Sequence, residues 1–173
     1  MKLVCISDTH CQLEKVKIPS GDILFHAGDL TYSGSYKETK QEIEKLGKYK
    51  DKFDSILLTN GNHDWLSFKE PELMSELCRE HGVTLLGHES TELNGLKIFG
   101  SHWQPEFKNW CWGLARGAAL KEKWAEIPDN TEILLTHSPA YGILDLVERY
   151  EIHTGTLSKE HLGCEENVLI KQN

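Results

Sequence analysis

Short apolar runs rich in valine, isoleucine and leucine alternate along the chain with longer amphipathic stretches. This alternation is typical of α/β domains, in which helices pack against the faces of a sheet. The apolar runs predict strands at residues 2–7, 22–27, 55–59, 83–86 and 132–136. A hairpin is predicted between residues 90–93 and 97–100, because Asn94-Gly95 readily adopts the positive φ angles of a tight turn.

The amphipathic stretches predict helices at residues 35–48, 71–81 and 115–126. Pro71 stands at the start of the second helix and Gly82 follows its end, as is common at helix termini. A further helix is predicted to begin near Ser158 or Glu160 and to include the stretch "CEENVLI". No linker or repeat divides the 173 residues, and 39% of them are hydrophobic, so a single domain over residues 1–173 is expected.

Acidic residues outnumber basic ones by 27 to 19, which gives a net charge of −8, and the sequence contains no block of lysine or arginine. We therefore expect no extended surface for a nucleic-acid backbone or an anionic membrane. The N-terminus lacks the profile of a signal peptide, and no segment is apolar enough to span a membrane. The five cysteines include no C-x-x-C pair, which favours reduced thiols and a cytoplasmic location.

Polar side chains suited to metal binding or catalysis follow five of the predicted strands, at the point where each strand ends. The groups are Asp8-Thr9-His10, Gly28-Asp29, Asn62-His63-Asp64, Ser101-His102 and His137-Ser138. In open α/β sheets the functional crevice lies at the carboxyl ends of the strands, so side chains from separate strands can converge there. The sequence therefore predicts one shared site.

Asp8, His10 and Asp29 offer the ligands of a metal site. Asp8 and His10 lie two residues apart, so on an extended backbone their side chains face the same side and can share one ion. A turn-capping Asp followed by an ordinary surface His is about equally compatible with this pair alone. Gly28 removes a side chain before Asp29, whose two oxygens could bridge two cations, although Gly-Asp alone is more often a simple turn.

The stretch "NHD" offers three different polar groups after a buried strand. Asn62 can bind a second divalent ion through a neutral amide oxygen, and His137 can supply an imidazole to the same ion. His63 can donate to a phosphate oxygen or protonate a leaving alkoxide, with Asp64 as the candidate that holds its ring. The alternative for these three residues is an Asx-type turn.

The ordered set D-x-H, G-D, G-N-H-D and a late His resembles the motifs of the calcineurin-like metallophosphoesterases. The stretches "LFHAGDLT", "GSHWQPEF", "NWCWGLARG" and "ILLTHSPAYGILD" are similar to the branch that includes the brain-expressed metallophosphoesterase-domain proteins and their bacterial and viral relatives. The resemblance runs from Lys2 to about Cys164. It implies a four-layer α/β/β/α sandwich with two divalent metal ions, such as Mn, Fe, Zn, Ni or Co, at the strand ends.

The resemblance also implies a role for each residue of the set. Asp8 and His10 would bind the first ion, Asp29 would bridge, Asn62 and His137 would bind the second, and His63 would act on the scissile phosphate. Members of the family hydrolyse phosphoesters, and this branch is associated with cyclic nucleotides and related diesters. The implied mechanism is in-line attack by a metal-bridging hydroxide.

The family completes both metal shells with a G-H-x-H motif, which this sequence does not contain. The resemblance therefore predicts a domain that is shortened at its C-terminus, with an open sheet edge through which the chain could self-associate. His102 is a possible additional ligand, although a tolerated replacement is favoured, and His153 and His161 are interpreted as surface residues. Trp103, Trp110 and Trp112 form either an aromatic wall for a nucleobase or part of the packing.

These features leave three functions open. The first is an active phosphodiesterase with a phosphoester as its small-molecule substrate, for which a nucleotide is one candidate. The second is a catalytically impaired remnant that binds a metal or a nucleotide without turnover. The third is a partner-binding domain that uses the exposed sheet edge. The complete set of motif residues from Asp8 to His137 favours the enzyme, whereas the missing G-H-x-H motif favours the other two.

Overall fold

In the computed structural model, which describes residues 1–151 and 156–164, the first half of the chain forms a four-stranded parallel sheet. Its strands, in spatial order, are β1 (Leu3–Ile6), β2 (Ile23–His26), β3 (Ser55–Leu58) and β4 (Thr84–Leu85). Each strand lies within the apolar run that predicts it and is one or two residues shorter than that run. These four predictions are therefore confirmed. Because the strands run in one direction, their carboxyl ends lie at the same edge of the sheet.

The later strands form a second sheet and a small separate pair. They are β5 (His88–Leu93), β6 (Leu96–Ser101), β7 (Gln104–Pro105), β8 (Gly113–Leu114) and β9 (Ile133–Thr136). β5 and β6 pair antiparallel across the predicted turn, where φ is 53° at Asn94 and 80° at Gly95. β9 runs parallel to β6, and β7 pairs with β8. The predicted hairpin and the predicted strand at 132–136 are therefore confirmed.

Helices accompany both sheets. They are α1 (Tyr36–Gly47), α2 (Trp65–Lys69), α3 (Pro71–Glu80) and α4 (Ala118–Ala125). Three of the four match predicted helices, and α1 begins where the Ser35 hydroxyl accepts a hydrogen bond from the Glu38 N–H. α2 was not predicted, because five residues are too few to show a helical period. None of the described helices combines the length and the apolarity that a bilayer span requires.

The described residues form three layers of hydrophobic core, which alternate with the sheets and helices. Leu24 of β2 packs in one cluster with Ile43 of α1. The next residue, Phe25, points to the opposite face and packs with Ile98 of the second sheet. Trp124 of α4 belongs to a third cluster on the outer side of that sheet. The order helix, sheet, sheet, helix confirms the predicted four-layer α/β/β/α sandwich.

The predicted helix from Ser158 or Glu160 is wrong for the residues that the structure describes. Instead, β10 (Leu146–Glu151) pairs antiparallel with β11 (Thr156–His161). The pairing satisfies the backbone N–H and C=O groups that the two strands turn towards each other, and this cross-strand pairing outweighs the helix propensity of the local sequence. The rest of the predicted helix, after Cys164, lies outside the described residues.

The packing between the two sheets predicts a large cost for truncating Phe25, which is 1% exposed. Phe25→Ala is expected to lower the free energy of unfolding by about 3–5 kcal/mol, because it leaves a cavity in a packed interior. Tyr36→Ala, at a side chain that is 47% exposed at the start of α1, is the matched control and should change it by less than about 0.5 kcal/mol. Urea unfolding measures both, and equal losses would contradict this core.

Candidate metal centre

The loops that follow β1, β2, β3 and β9 meet at the carboxyl edge of the sheets and carry the predicted ligands. The Asp8 N–H donates to the Gly28 carbonyl and the His10 N–H donates to the Asp29 carbonyl, each at 3.0 Å. The His137 ring, which follows β9, bonds to a carbonyl of the loop after β2 at 2.9 Å. These contacts bring distant parts of the chain to one place.

Three of these residues hold backbone conformations that L-amino acids rarely adopt. φ is 54° at Asp8, 41° at His10 and 53° at Asp29. Left-handed conformations are sterically costly for residues with a Cβ atom, and they concentrate at functional sites. At Gly28, where φ is 97°, a Cβ atom would lie 2.6 Å from the backbone nitrogen of Gly61. Glycine at position 28 thus lets the loops after β2 and β3 approach closely.

Asp29 lies at the centre of the cluster and is 3% exposed. Its Oδ2 atom is 3.7 Å from His10 Nε2 and 3.5 Å from His137 Nε2. Two groups of three ligand atoms share its carboxylate, one with His10 and His63 and the other with Asp8 and His137, and the atoms of each group lie within 4.8 Å of one another. His10 Nε2 is also 4.0 Å from Asp8 Oδ1. A shared carboxylate is the arrangement that bridging two cations requires.

The histidines of both groups are held by hydrogen bonds between Nδ1 and a backbone carbonyl. The partners are the carbonyl of Thr31 for His10 at 3.1 Å, of Tyr32 for His63 at 2.6 Å and of Ala27 for His137 at 2.9 Å. A carbonyl can only accept, so Nδ1 carries the proton in each ring. The Nε2 atom of a neutral ring then keeps its lone pair for a metal, as is usual for metal-binding histidines.

Asp64 has a different role from the predicted one of holding His63. The side chain is 4% exposed and accepts hydrogen bonds from the N–H groups of Asp29, Gly61 and Thr31 and from the Thr31 hydroxyl, at 2.7–3.0 Å. Burial raises the pKa of the Asp64 carboxyl, and the bonds from Gly61 and Thr31 oppose that rise. Asp64 therefore joins the loops after β2 and β3, while the Tyr32 carbonyl holds the His63 ring.

Asn62 lies at a cleft of about 560 Å³ that Asp8 and His137 also line. Its backbone carbonyl is 3.0 Å from the Cys111 Sγ atom, which donates to it. This contact anchors the loop after β3 to the segment between β7 and β8. The predicted neutral ligand therefore faces the same cleft as one carboxylate and one imidazole of the centre.

His102 packs among aromatic rings and belongs to neither ligand group of the described residues. Its ring stacks on Trp112 with centroids 3.5 Å apart, and Trp103 meets Trp112 edge-on at 5.5 Å. Trp110 differs from both, because its ring lies 4.0 Å from that of His63. Of the three tryptophans considered as an aromatic wall, two pack against His102 and one covers a residue of the centre.

The other histidines considered as substitutes for the missing motif have different surroundings. The Nδ1 atom of His161 bonds to Asp145 Oδ1 at 2.8 Å. His153 lies outside the described residues. His26, interpreted from sequence as a core histidine, is fully buried with Nε2 3.0 Å from the Thr9 hydroxyl, and burial lowers its pKa to about 3.

Residues that the sequence did not single out support the centre: Ala27 and Thr31 hold His137 and His10 as described above, and Tyr32 and Cys111 hold two further groups. The Tyr32 carbonyl fixes the His63 ring, and the Cys111 thiol fixes the Asn62 backbone. Tyr32 acts through its backbone, which any residue type supplies, so only its position shortly after Gly28-Asp29 could have indicated it. Cys111 stands in the stretch "NWCWG", whose aromatic character drew attention to the tryptophans instead.

Residues 1–165 match the protein family described as Calcineurin-like phosphoesterase. The match covers nearly the whole chain and includes every residue of both ligand groups. The chain belongs to the calcineurin-like phosphoesterase family. Proteins of this family are phosphoesterases that use divalent metals, which agrees with the mixed carboxylate and imidazole ligands gathered around Asp29.

Individual relatives confirm the predicted branch of the calcineurin-like phosphoesterases. Metallophosphoesterase domain-containing protein 1 of Homo sapiens is 34% identical over 95% of this chain and 54% of its own length, and the Mus musculus protein of the same name gives the same figures. A UPF0046 protein of Caenorhabditis elegans is 35% identical over 84% of this chain and 53% of its own length. The chain thus spans about half the length of these curated relatives.

Gly61 makes room for the Asp29 carboxylate, because a Cβ atom at this position would collide with Asp29 Oδ1. Gly61→Ala is expected to displace Asp29 and to weaken Mn²⁺ binding, measured by titration calorimetry, by at least about 10-fold. Gly82→Asn is the matched control, because Gly82 has open space around it and Asn tolerates its φ of 70°. Unchanged Mn²⁺ affinity in folded Gly61→Ala protein would count against Asp29 as a ligand.

The burial of the His102 ring leads us to expect that acid destabilises the fold. Burial, with help from His88 and Lys123, lowers the pKa of His102 from 6.5 to about 3. Between these values the unfolded chain binds a proton that the folded chain does not, so the contribution of His102 to stability is full above pH 6.5 and is lost as the pH falls towards 3.

The substitution His102→Phe keeps an aromatic ring on Trp112 and removes the titrating group. The free energy of unfolding should therefore fall less steeply below pH 6.5 in this variant than in the wild type. Urea unfolding at a series of pH values measures both slopes, and identical slopes would show that His102 is freely protonated in the folded state.

Proposed function

We propose that this chain is a metal-dependent phosphodiesterase whose two divalent cations share the Asp29 carboxylate. The observation that carries the proposal is the pair of ligand groups that meet at this one buried side chain. The assignment that the family suggests divides these residues differently: it gives Asp8 and His10 to one cation and Asn62 and His137 to the other, and it leaves His63 for the phosphate rather than for a cation. Mixed oxygen and nitrogen ligands suit Mn, Fe, Zn, Ni or Co better than Mg or Ca.

The ligand residues fit such cations in charge as well as in position. The carboxylates of Asp8 and Asp29 face the Nε2 atoms of His10 and His137, so the centre gathers several potential ligand atoms, two of them on carboxylates, in a small space. This arrangement is costly unless a positive charge balances it. Hydrogen bonds already fix the imidazole rings, which reduces the conformational entropy that metal binding would cost.

His63 is the residue that we propose to handle the phosphate. Divalent cations bound here would supply an activated water with hydroxide character and would neutralise the phosphoryl oxygens. The Tyr32 carbonyl holds Nδ1 of His63 and Trp110 covers its ring, so Nε2 is the atom left to meet the substrate. When Nε2 is protonated, it can donate to a phosphoryl oxygen or to the leaving alkoxide.

The size of the cleft supports a substrate larger than a simple phosphate. The volume of about 560 Å³ falls in the usual range for small-molecule sites, roughly 300–1,000 Å³. Asp8, Asn62 and His137 line the cleft, so the metal centre opens into it, and Phe107 adds an apolar surface. A cyclic nucleotide or a related diester is the substrate class that we propose.

Hydrolysis of bis(p-nitrophenyl) phosphate in the presence of Mn²⁺, Fe²⁺, Co²⁺, Ni²⁺ or Zn²⁺ tests the proposal. Asp29→Asn removes a shared ligand charge and His63→Gln removes the proton donor. Each is expected to lower kcat by about 100-fold or more. Asp54→Asn, at an exposed carboxylate after α1, is the matched control and should keep full activity.

Two results would overturn the assignment. One is the absence of turnover by the wild type with all five metals from mildly acidic to alkaline pH. The other is equal activity of His63→Gln and the wild type, which would remove His63 from the reaction while leaving the metal centre intact.

A further inference from the structure

Permanent positive charge is scarce in the cleft. Among the described residues that line it, Arg116 supplies the one guanidinium, and no lysine joins it. The acidic side chains of Asp8, Glu106 and Glu160 line the same cleft, in a chain whose net charge is −8. A ligand with more than one anionic group would be repelled here unless a fixed positive charge faced each of them.

Arg116 is held in place before any ligand arrives. Its Nη1 donates to the Gly163 carbonyl at 2.9 Å and its Nη2 donates to the Leu162 carbonyl at 3.2 Å. A guanidinium has five N–H donors in a rigid plane, so these two bonds leave three for a ligand. A side chain fixed in this way loses little conformational entropy when it binds an oxyanion.

Arg116 and the metal centre are held by different segments of the chain. The guanidinium bonds to residues that follow β11, whereas the ligand atoms of the centre gather on Asp29 after β2. A single phosphate on the centre would leave much of the 560 Å³ cleft to the rest of the ligand. A ligand that fills the cleft can therefore present one phosphate to the metal centre and another group to Arg116.

We propose that Arg116 binds a second phosphate group of the substrate, apart from the phosphodiester that reacts. The inference rests on the proposed function for the identity of the first phosphate. Arginine suits the role because its planar fork can bind two phosphate oxygens at once. Within the proposed class of diesters, the preferred substrate is then a phosphodiester that carries a second phosphate group, which is not hydrolysed.

Equilibrium binding tests this role without turnover. Titration calorimetry of the Mn²⁺-loaded protein compares thymidine 3′,5′-bisphosphate with thymidine 5′-monophosphate. We expect the wild type to bind the bisphosphate more tightly and Arg116→Ala to lose about 10-fold to 100-fold of that preference. Arg116→Lys, which keeps the charge but not the planar fork, should keep part of the preference for the bisphosphate. The control variant Lys121→Ala on α4 should keep the whole preference.

A purely structural role for Arg116 predicts a different pattern. Losing the bonds to Leu162 and Gly163 would weaken both thymidine nucleotides equally and leave the ratio of their affinities unchanged. That result would overturn the proposal, as would a wild type that binds both nucleotides equally well. A reduced ratio in Arg116→Ala with normal affinity for the monophosphate would support it.

Measurements of turnover distinguish a failure of the second phosphate site from a failure of the proposed function. The wild type should hydrolyse thymidine 3′-phosphate 5′-(p-nitrophenyl phosphate) with a lower KM than thymidine 5′-(p-nitrophenyl phosphate), and Arg116→Ala should remove this difference in KM. If no ester is hydrolysed but the binding preference still depends on Arg116, the proposed function fails and the second phosphate site stands. If both esters are hydrolysed with the same KM, the site fails and the function stands.

Discussion

The burial of the Asp29 carboxylate is the constraint on which the centre depends. Its Oδ1 accepts the His63 N–H at 2.8 Å, and its own N–H donates to Asp64 Oδ2 at 2.9 Å. Asp64 in turn holds the N–H of Gly61, where a larger residue would collide with Asp29. Asp29 is therefore fixed by the loop after β3 even though it follows β2. A charge buried in this way is stable only when other charges or hydrogen bonds compensate it.

The two sheets position the loops that surround the buried Asp29 carboxylate. Parallel pairing of β1, β2 and β3 places three loop starts side by side, and β9 brings His137 from the second sheet. Phe25 and Leu57 pack between the sheets with Leu135 of β9, so the same core that stabilises the sandwich also sets the distance across the centre. The left-handed backbone at Asp29 is a local cost that this packing and the Asp64 bonds can offset.

The sequence predicted the parts of the centre whose residue types carry chemistry. Strand ends followed by Asp, His or Asn are visible in a linear sequence, and the parallel sheet brings them together as expected. The supporting contacts were not predictable, because the carbonyls that fix His10, His63 and His137 are present in every residue type. Asp64 was assigned to its neighbour His63, but two of its partners, Asp29 and Thr31, lie in a loop more than thirty residues away, and only the fold shows them.

The positions of β10, β11 and Arg116 near the cleft were not predicted for the same reason: they depend on contacts that a linear sequence does not show. The antiparallel pairing of β10 and β11 depends on contacts across the hairpin, so local propensity predicted a helix instead. Arg116 reaches the carbonyls beyond that hairpin, and its place in the cleft could not be inferred from the stretch "GLARG" alone. In both cases the fold, rather than the residue type, determines which groups line the cleft.

Electron paramagnetic resonance of the protein titrated with Mn²⁺ tests the shared carboxylate most directly. If Asp29 bridges two cations, the spectrum at two equivalents of Mn²⁺ per chain should show an exchange-coupled pair, and Asp29→Asn should convert it to the signal of isolated ions. A wild-type spectrum that shows only isolated Mn²⁺ at every ratio would contradict the account.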